Sequence, residues 1–173
     1  MASSMVLVAH SDVGFHDEFK GRSQAGSHIF LAENSPVPLW NGPILTIAQV
    51  IKCVMSSEAE AELGALFITA KELMPIRQTL IEVGWPHPLV PIQTYNSMAA
   101  GVVNDTITAR KPKYMDLRLH WLKCCEAQQQ FIFYWAHGSN NWADYSTKHH
   151  PPIYHKSKRP LFVGADQQLQ KPF

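Results

Sequence analysis

A chain of 173 residues is long enough for one domain with a substantial core, and 46% hydrophobic and 17% charged residues are ordinary for a globular protein. With Lys+Arg at 15 and Asp+Glu at 14, the formal charge of +1 neither demands nor excludes a nucleic-acid partner. No apolar run approaches membrane-spanning length, and the run at 5–9 is too short and lacks the basic flank of a secretion signal. Cys53, Cys124 and Cys125 cannot build a disulfide framework, and the adjacent pair lacks zinc-knuckle spacing. Reduced, mostly buried thiols in an intracellular protein are expected, with cytoplasm and nucleus left open.

Residues 5–9 have the character of a buried strand that ends at His10-Ser-Asp12. An Asp in that position is a turn former or, in an α/β fold, a catalytic group presented at a strand end. Residues 15–24 are polar and read as a loop, and 25–31 as a second strand pairing back in a hairpin. The Pro-, Asn- and Gly-rich residues 34–43 predict a surface loop, and 44–54 a third strand.

A helix is predicted from Glu58 to about Val83. Ser57 and Glu60 have capping-box spacing, and Glu58 lies in the first turn, where the helix dipole favours an anion. Ala59, Leu63, Leu66, Ala70 and Leu73 form one apolar face. Pro75 should kink or split the helix near Glu72, and Gly84 is placed to end it. No cap needs Glu62, which lies a turn further in beside Ala65 and Leu66. A carboxylate there is an exposed acid at the edge of the stripe, or a buried one that requires a partner such as a metal ion.

Residues 89–94 read as a strand, followed by a helix from 98 to about 106 capped by Asn96 or Ser97. Arg110, Lys111 and Lys113 lie in the next connection, and Arg118 in a helix over 114–127 with Leu117, Trp121 and Cys124 or Cys125 on one face. These four cations suit a phosphate backbone, and equally a solvated charged face. Residues 131–135 are aromatic throughout, as in a strand buried on both faces. A loop at 137–140 precedes a short helix capped by Asn141, with Asp144 near its third position. The domain is read as 5–150 and the Pro-, His- and Lys-rich 151–173 as an irregular tail. This order is α/β: an antiparallel three-stranded meander, then two parallel strands separated by helices. Strands one and four become central neighbours, and Asp12, Glu62 and Asp144 can converge at one end of the sheet. Hard oxygen ligands suit Mg²⁺, and two such ions about 4 Å apart serve phosphodiester displacement.

Seven short stretches, Ser11-Asp12, Ser23-Gln-Ala-Gly26, Met55-Ser-Ser-Glu-Ala-Glu-Ala-Glu-Leu-Gly-Ala65, Ala70-Lys-Glu72, Pro91-Ile-Gln-Thr-Tyr-Asn-Ser97, Lys113-Tyr-Met-Asp-Leu-Arg118 and Ala143-Asp-Tyr-Ser-Thr-Lys148, form an ordered, collinear set that covers roughly residues 6 to 150. By these the chain resembles the ribonuclease H domain at the C-terminal end of copia-type LTR-retrotransposon polyproteins. The resemblance implies a ribonuclease H-like fold, with a five-stranded mixed sheet flanked by helices. It also implies Mg²⁺- or Mn²⁺-dependent hydrolysis of the RNA strand of an RNA–DNA hybrid at a two-ion site.

Carried over by position, Asp12, Glu62 and Asp144 match three of the family's catalytic and metal-binding acids. The fourth belongs immediately before Asn96, where this chain has Tyr95. A phenol is protonated at neutral pH and is a poor ligand for a hard dication, so a weakened ion site and impaired turnover are expected. The alternative is a non-catalytic nucleic-acid-binding or vestigial retroelement-derived domain. The family's domain follows a reverse transcriptase in one polyprotein. That partner is absent here, so a fragment, a relic or a retained stand-alone copy is expected. His137 lies in the loop where some ribonucleases H keep a mobile His, although the copia-type pattern does not require it. His149, His150 and His155 lack the rigid frame of a metal site.

Overall fold

In a computed structural model, which describes residues 5–33, 42–85, 89–107, 116–137 and 141–163, the first apolar run continues well past Asp12. Strand β1 is Met5–Glu18, and after a 3-10 turn at Phe19–Gly21 strand β2, Arg22–Glu33, pairs back antiparallel. Asp12 therefore lies inside a strand, and the polar segment read as a loop is the distal arm of the hairpin. Main-chain pairing, not side-chain burial, extends that arm, with a register shift between Gly14 and Glu18. Lys20 and Gly21 supply the positive φ angles of its turn.

Strand β3, Leu45–Val50, adds antiparallel to β2 and completes the expected meander. Strands β4, Val90–Thr94, and β5, Phe131–Trp135, follow as parallel neighbours, giving the order β3-β2-β1-β4-β5. β5 is an edge strand covered on one face only. Phe131 and Phe133 are buried while Ile132 and Trp135 are exposed, so it is not the doubly buried strand its composition suggests.

Helix α1, Glu58–Glu82, runs through Pro75 as one element and is not split. The missing proline N–H costs one helical bond, while Leu66, Ala70 and Leu73 before it and Ile76 and Leu80 after it keep the turns on both sides docked against the core. Ser57 Oγ accepts the Glu60 N–H at 3.2 Å, as the cap spacing predicts. The Glu60 carboxylate reaches one residue further back than expected, to the Ser56 N–H at 2.7 Å. At the other end, Gly84 N–H bonds the Ile81 carbonyl and Trp85 N–H the Leu80 carbonyl, a Schellman pair closed at a glycine with φ of 86°.

Helix α2, Ser97–Val103, is capped by Asn96, whose Oδ1 accepts from Met98 N–H at 2.9 Å and Ala99 N–H at 3.2 Å. Helix α3, Asp116–Ala127, turns inward a face that only partly matches the one expected, with Trp121 and Cys125 packed on the core as read and Leu117 not. Leu119, Leu122 and Cys125 are buried, whereas Leu117 and Cys124 are exposed. Helices α1, α2 and α3 share one core with alternate residues of β1 and β2, such as Leu7, Ala9 and Ile29. The opposite sheet face, with Val6, Val8 and Phe30, forms a smaller core.

Two short elements cover that second face. Helix α4 is Asp144–Thr147, and α5 is Pro152–Val163 in the segment read as irregular. Pro152 occupies a helix start, where no N–H is missed, and Phe162 near the other end packs edge-on to His28 at 5.2 Å between ring centroids. No described helix is long and apolar enough to cross a membrane.

Candidate functional site

Strand register carries Asp12 to the C-terminal end of the parallel strands. The last β1–β4 partners are His10 and Gln93, so Asp12 stands level with the turn after Thr94. Glu62 arrives there from α1, and a buried hydroxyl cluster locks its helix to the hairpin. Thr69, two turns along the same helix face, donates to Ser11 Oγ at 3.1 Å and also bonds Ser27 Oγ. Asp144 arrives from the opposite sheet face. Asn141 Nδ2 donates to the Ser11 carbonyl at 2.9 Å, and Asn141 Oδ1 accepts from Ala143 N–H at 3.0 Å. Asn141 thus pins the segment before α4 to β1, although the N-cap itself is Ala143.

Two glycines let α4 lie flat on the hairpin. A Cβ on Gly26, the β2 partner of Asp12, would stand 2.4 Å from Thr147 Cγ2 and 2.8 Å from the Ala143 carbonyl oxygen. A Cβ on Gly14 would stand 2.5 Å from the Thr147 carbonyl oxygen. Such distances are excluded for real side chains, so α4 sits this close only because both positions lack one.

The result is a row of carboxylates in electrostatic contact. Asp12 and Glu62 are 2% and 1% exposed, so Glu62 is the buried acid and not the exposed edge residue. Burial, reinforced by the Asp12 charge, pushes Glu62 up to about 9 against the pull of the Thr94 hydroxyl, which donates to it at 3.3 Å. Burial also raises Asp12, whose charge the Thr147 hydroxyl and Lys148 favour and Asp144 opposes. Lys148 donates to Asp144 Oδ1 in an ion pair, and His150 Nε2 lies 3.9 Å from the other oxygen of that carboxylate. The Lys148 ammonium is 5.8 Å from the centroid of the Tyr95 ring. Tyr95 itself is 43% exposed, and its carbonyl accepts the Trp135 indole N–H at 2.9 Å.

Asp12, Glu62 and Asp144 are thus brought to one rim, with Tyr95 beside them through its shared contact with Lys148. Of the cations named from sequence, Arg118 lies over the Phe67 ring at 5.3 Å, on the α1–α3 side. Arg110, Lys111 and Lys113 lie outside the described residues. His137 is exposed. His150 and His155 belong to an aromatic cluster with Tyr145 and Tyr154. Sequence reasoning assigned no role to Thr147 or Lys148, whose side chains reach Asp12 and Asp144. Their spacing of three and four residues from Asp144, on one helix face, is the signal that identifies them.

The donor set suits a hard divalent ion: carboxylate oxygens, those of Asp12 and Glu62 buried, whose mutual repulsion a cation or a proton relieves. Among the described residues, however, no three acids, histidines or cysteines stand grouped for one ion. Asp144 holds Lys148, and Asp12 holds Thr147. For an ion to be held here, Asp144 would have to exchange its ammonium partner.

No protein-family profile matches the sequence, and no curated protein does. Solved structures do. LC11-RNase H1, isolated from compost by a metagenomic approach, superposes with a TM-score of 0.60 at 12% identity, over 82% of this chain and 91% of that one. The same enzyme in complex with an RNA/DNA hybrid gives 0.58. The N-terminal RNase H domain of Rv2228c from Mycobacterium tuberculosis gives 0.55 at 14% identity, over 83% and 91%. The PFV RNase H domain gives 0.51 at 13% identity, over 84% and 93%. The strand order, the parallel and antiparallel pairs and the flanking helices together give this chain a ribonuclease H-like fold.

Proposed function

We propose that the chain is a copia-type retroelement ribonuclease H domain that engages RNA–DNA hybrids and hydrolyses their RNA strand only weakly. The observation that carries this reading is the meeting of Asp12, Glu62 and Asp144 at one sheet end, with Tyr95 in place of a fourth acid. Asp12, Glu62 and Asp144 would hold Mg²⁺ or Mn²⁺, with the two-ion arrangement weakened at Tyr95. A bound ion would supply Lewis acidity and a water of lowered pKa. The chain's own residues do the rest. Thr94 and Thr147 orient the Glu62 and Asp12 carboxylates, and Asn141 holds α4 in reach. The test is cleavage of a labelled RNA–DNA hybrid with either ion, comparing the protein with Tyr95→Asp. Gain of cleavage on the reversion is expected; full-rate cleavage without it contradicts the reading.

A non-catalytic nucleic-acid-binding role is the second reading. It is favoured by the ammonium already seated on Asp144 and by the exposed rings of Tyr95 and Trp135 at the rim. Salt-dependent hybrid binding by the protein, with no turnover even in Tyr95→Asp, would support it. Absence of binding would leave a vestigial domain.

A further inference from the structure

Lys148 is the last residue of the Ala143–Lys148 motif, four positions after Asp144, so one helical turn places its ammonium on Asp144 Oδ1. Its side chain is only half exposed, and this partial burial works against its charge. Even so, the hydrogen bond to Asp144 and the fields of Asp12 and Asp144 hold it above the ordinary lysine range. It also acts on Glu62, favouring that charge. Among the described residues, no other lysine or arginine pairs with an acid of this row. The Tyr95 ring completes the surroundings of the ammonium at 5.8 Å, an approach compatible with a cation–π contact. A single tethered cation thus sits on Asp144, favours the charge of Asp12 and Glu62 by its field, and lies near the aromatic residue at the fourth position.

We propose that Lys148 is a built-in counter-cation of this site, which a divalent ion must displace from Asp144 in order to bind. The inference rests on the metal-site reading given above and names the residue that sets how tightly that site takes an ion. Tyr95 acts together with Lys148 on this account. Tyr95 removes one ligand, and its ring gives the ammonium a second surface to rest on. Monovalent charge carried by the fold then does part of the neutralisation that a mobile dication would do.

The test is Mn²⁺ affinity, measured by electron paramagnetic resonance of the free ion on the full chain, together with melting temperature in chelator. Lys148→Met and Lys148→Gln should each bind Mn²⁺ about fivefold tighter or more, the scale of one partly exposed charge beside carboxylates. Both should melt lower than the parent in chelator and recover with Mn²⁺. Lys148→Arg keeps the charge and should bind as weakly as the parent. Affinity unchanged or reduced in both neutral variants overturns the proposal, as does absence of Mn²⁺ binding in every variant. The hybrid-cleavage assay is read separately. If Tyr95→Asp stays inactive while Lys148→Met binds Mn²⁺ tighter, the catalytic reading fails and Lys148 keeps its role.

Discussion

The Thr147 hydroxyl donates to Oδ2 of Asp12 across 135 residues of sequence, in a site buried from solvent. This bond joins the α4 side of the sheet to the central strand and stabilises the charged form of Asp12 where burial disfavours it. Thr147→Val removes the donor while keeping the shape. It should cost about 1–3 kcal/mol in urea unfolding, the range for a buried hydrogen bond to a charged group. Thr147→Ser should recover most of that loss. Equal stability of the valine and serine variants would count against the bond.

Gly26 and Thr147 make a tighter contact than any side chain at position 26 permits. Gly26→Ala should therefore lift α4 from β2 and destabilise the domain by about 1–3 kcal/mol, as overpacking does. It should also move Asp144 and Lys148 away from Asp12. The paired measurement is urea unfolding and the Mn²⁺ affinity of the same variant. A stable Gly26→Ala protein with an unmoved α4 would show that the contact relaxes without cost.

His10 and His28 are buried neighbours on β1 and β2 with ring centroids 6.5 Å apart, and Phe162 of α5 packs on His28. Burial, with the neighbouring His28 adding to it, pushes His10 down to about 3, and burial alone pushes His28 down to about 4. His10 Nδ1 accepts the Trp142 N–H at 3.1 Å, so the folded ring carries its proton on Nε2. Both are bases with folded values below the ordinary one, so the unfolded chain takes up protons first. Their contribution is complete above pH of about 6.5 and is lost as pH falls toward 4 and then 3. The slope is at most about 1.4 kcal/mol per pH unit for each ring. Denaturant midpoints at stepped pH should fall in this window. His28→Phe should flatten the fall by about one proton.

Tyr95→Asp returns a carboxylate to the turn after β4. Hybrid cleavage with Mg²⁺ should rise about 100-fold or more, the scale on which single charge-stabilising groups act in catalysis. Tyr95→Phe should not raise it. Equal gains from both replacements would assign the effect to the lost phenol hydroxyl and not to a restored ligand.

Up to α4 the order of elements, the hairpin, the central place of β1 and β4 and the caps of α1 and α2 are legible in the residues. They depend on spacing between near neighbours: alternation along a strand, the serine three residues before Glu60, the asparagine before α2. So is the order of Asp12, Glu62 and Asp144. Tertiary structure decided what local spacing cannot express. Asp12 lies within a strand because the hairpin pairs beyond its apolar part. Leu117 faces outward because the sheet selects another side of α3. Residues 152–163 are helical with Phe162 against His28, a partner more than a hundred positions away. The field around Asp12 is likewise a sum over Glu62, Asp144, Thr147 and Lys148, which become neighbours only when α1 and α4 close on opposite faces of the sheet. Electrostatic energy depends on distance in space, and folding sets that distance.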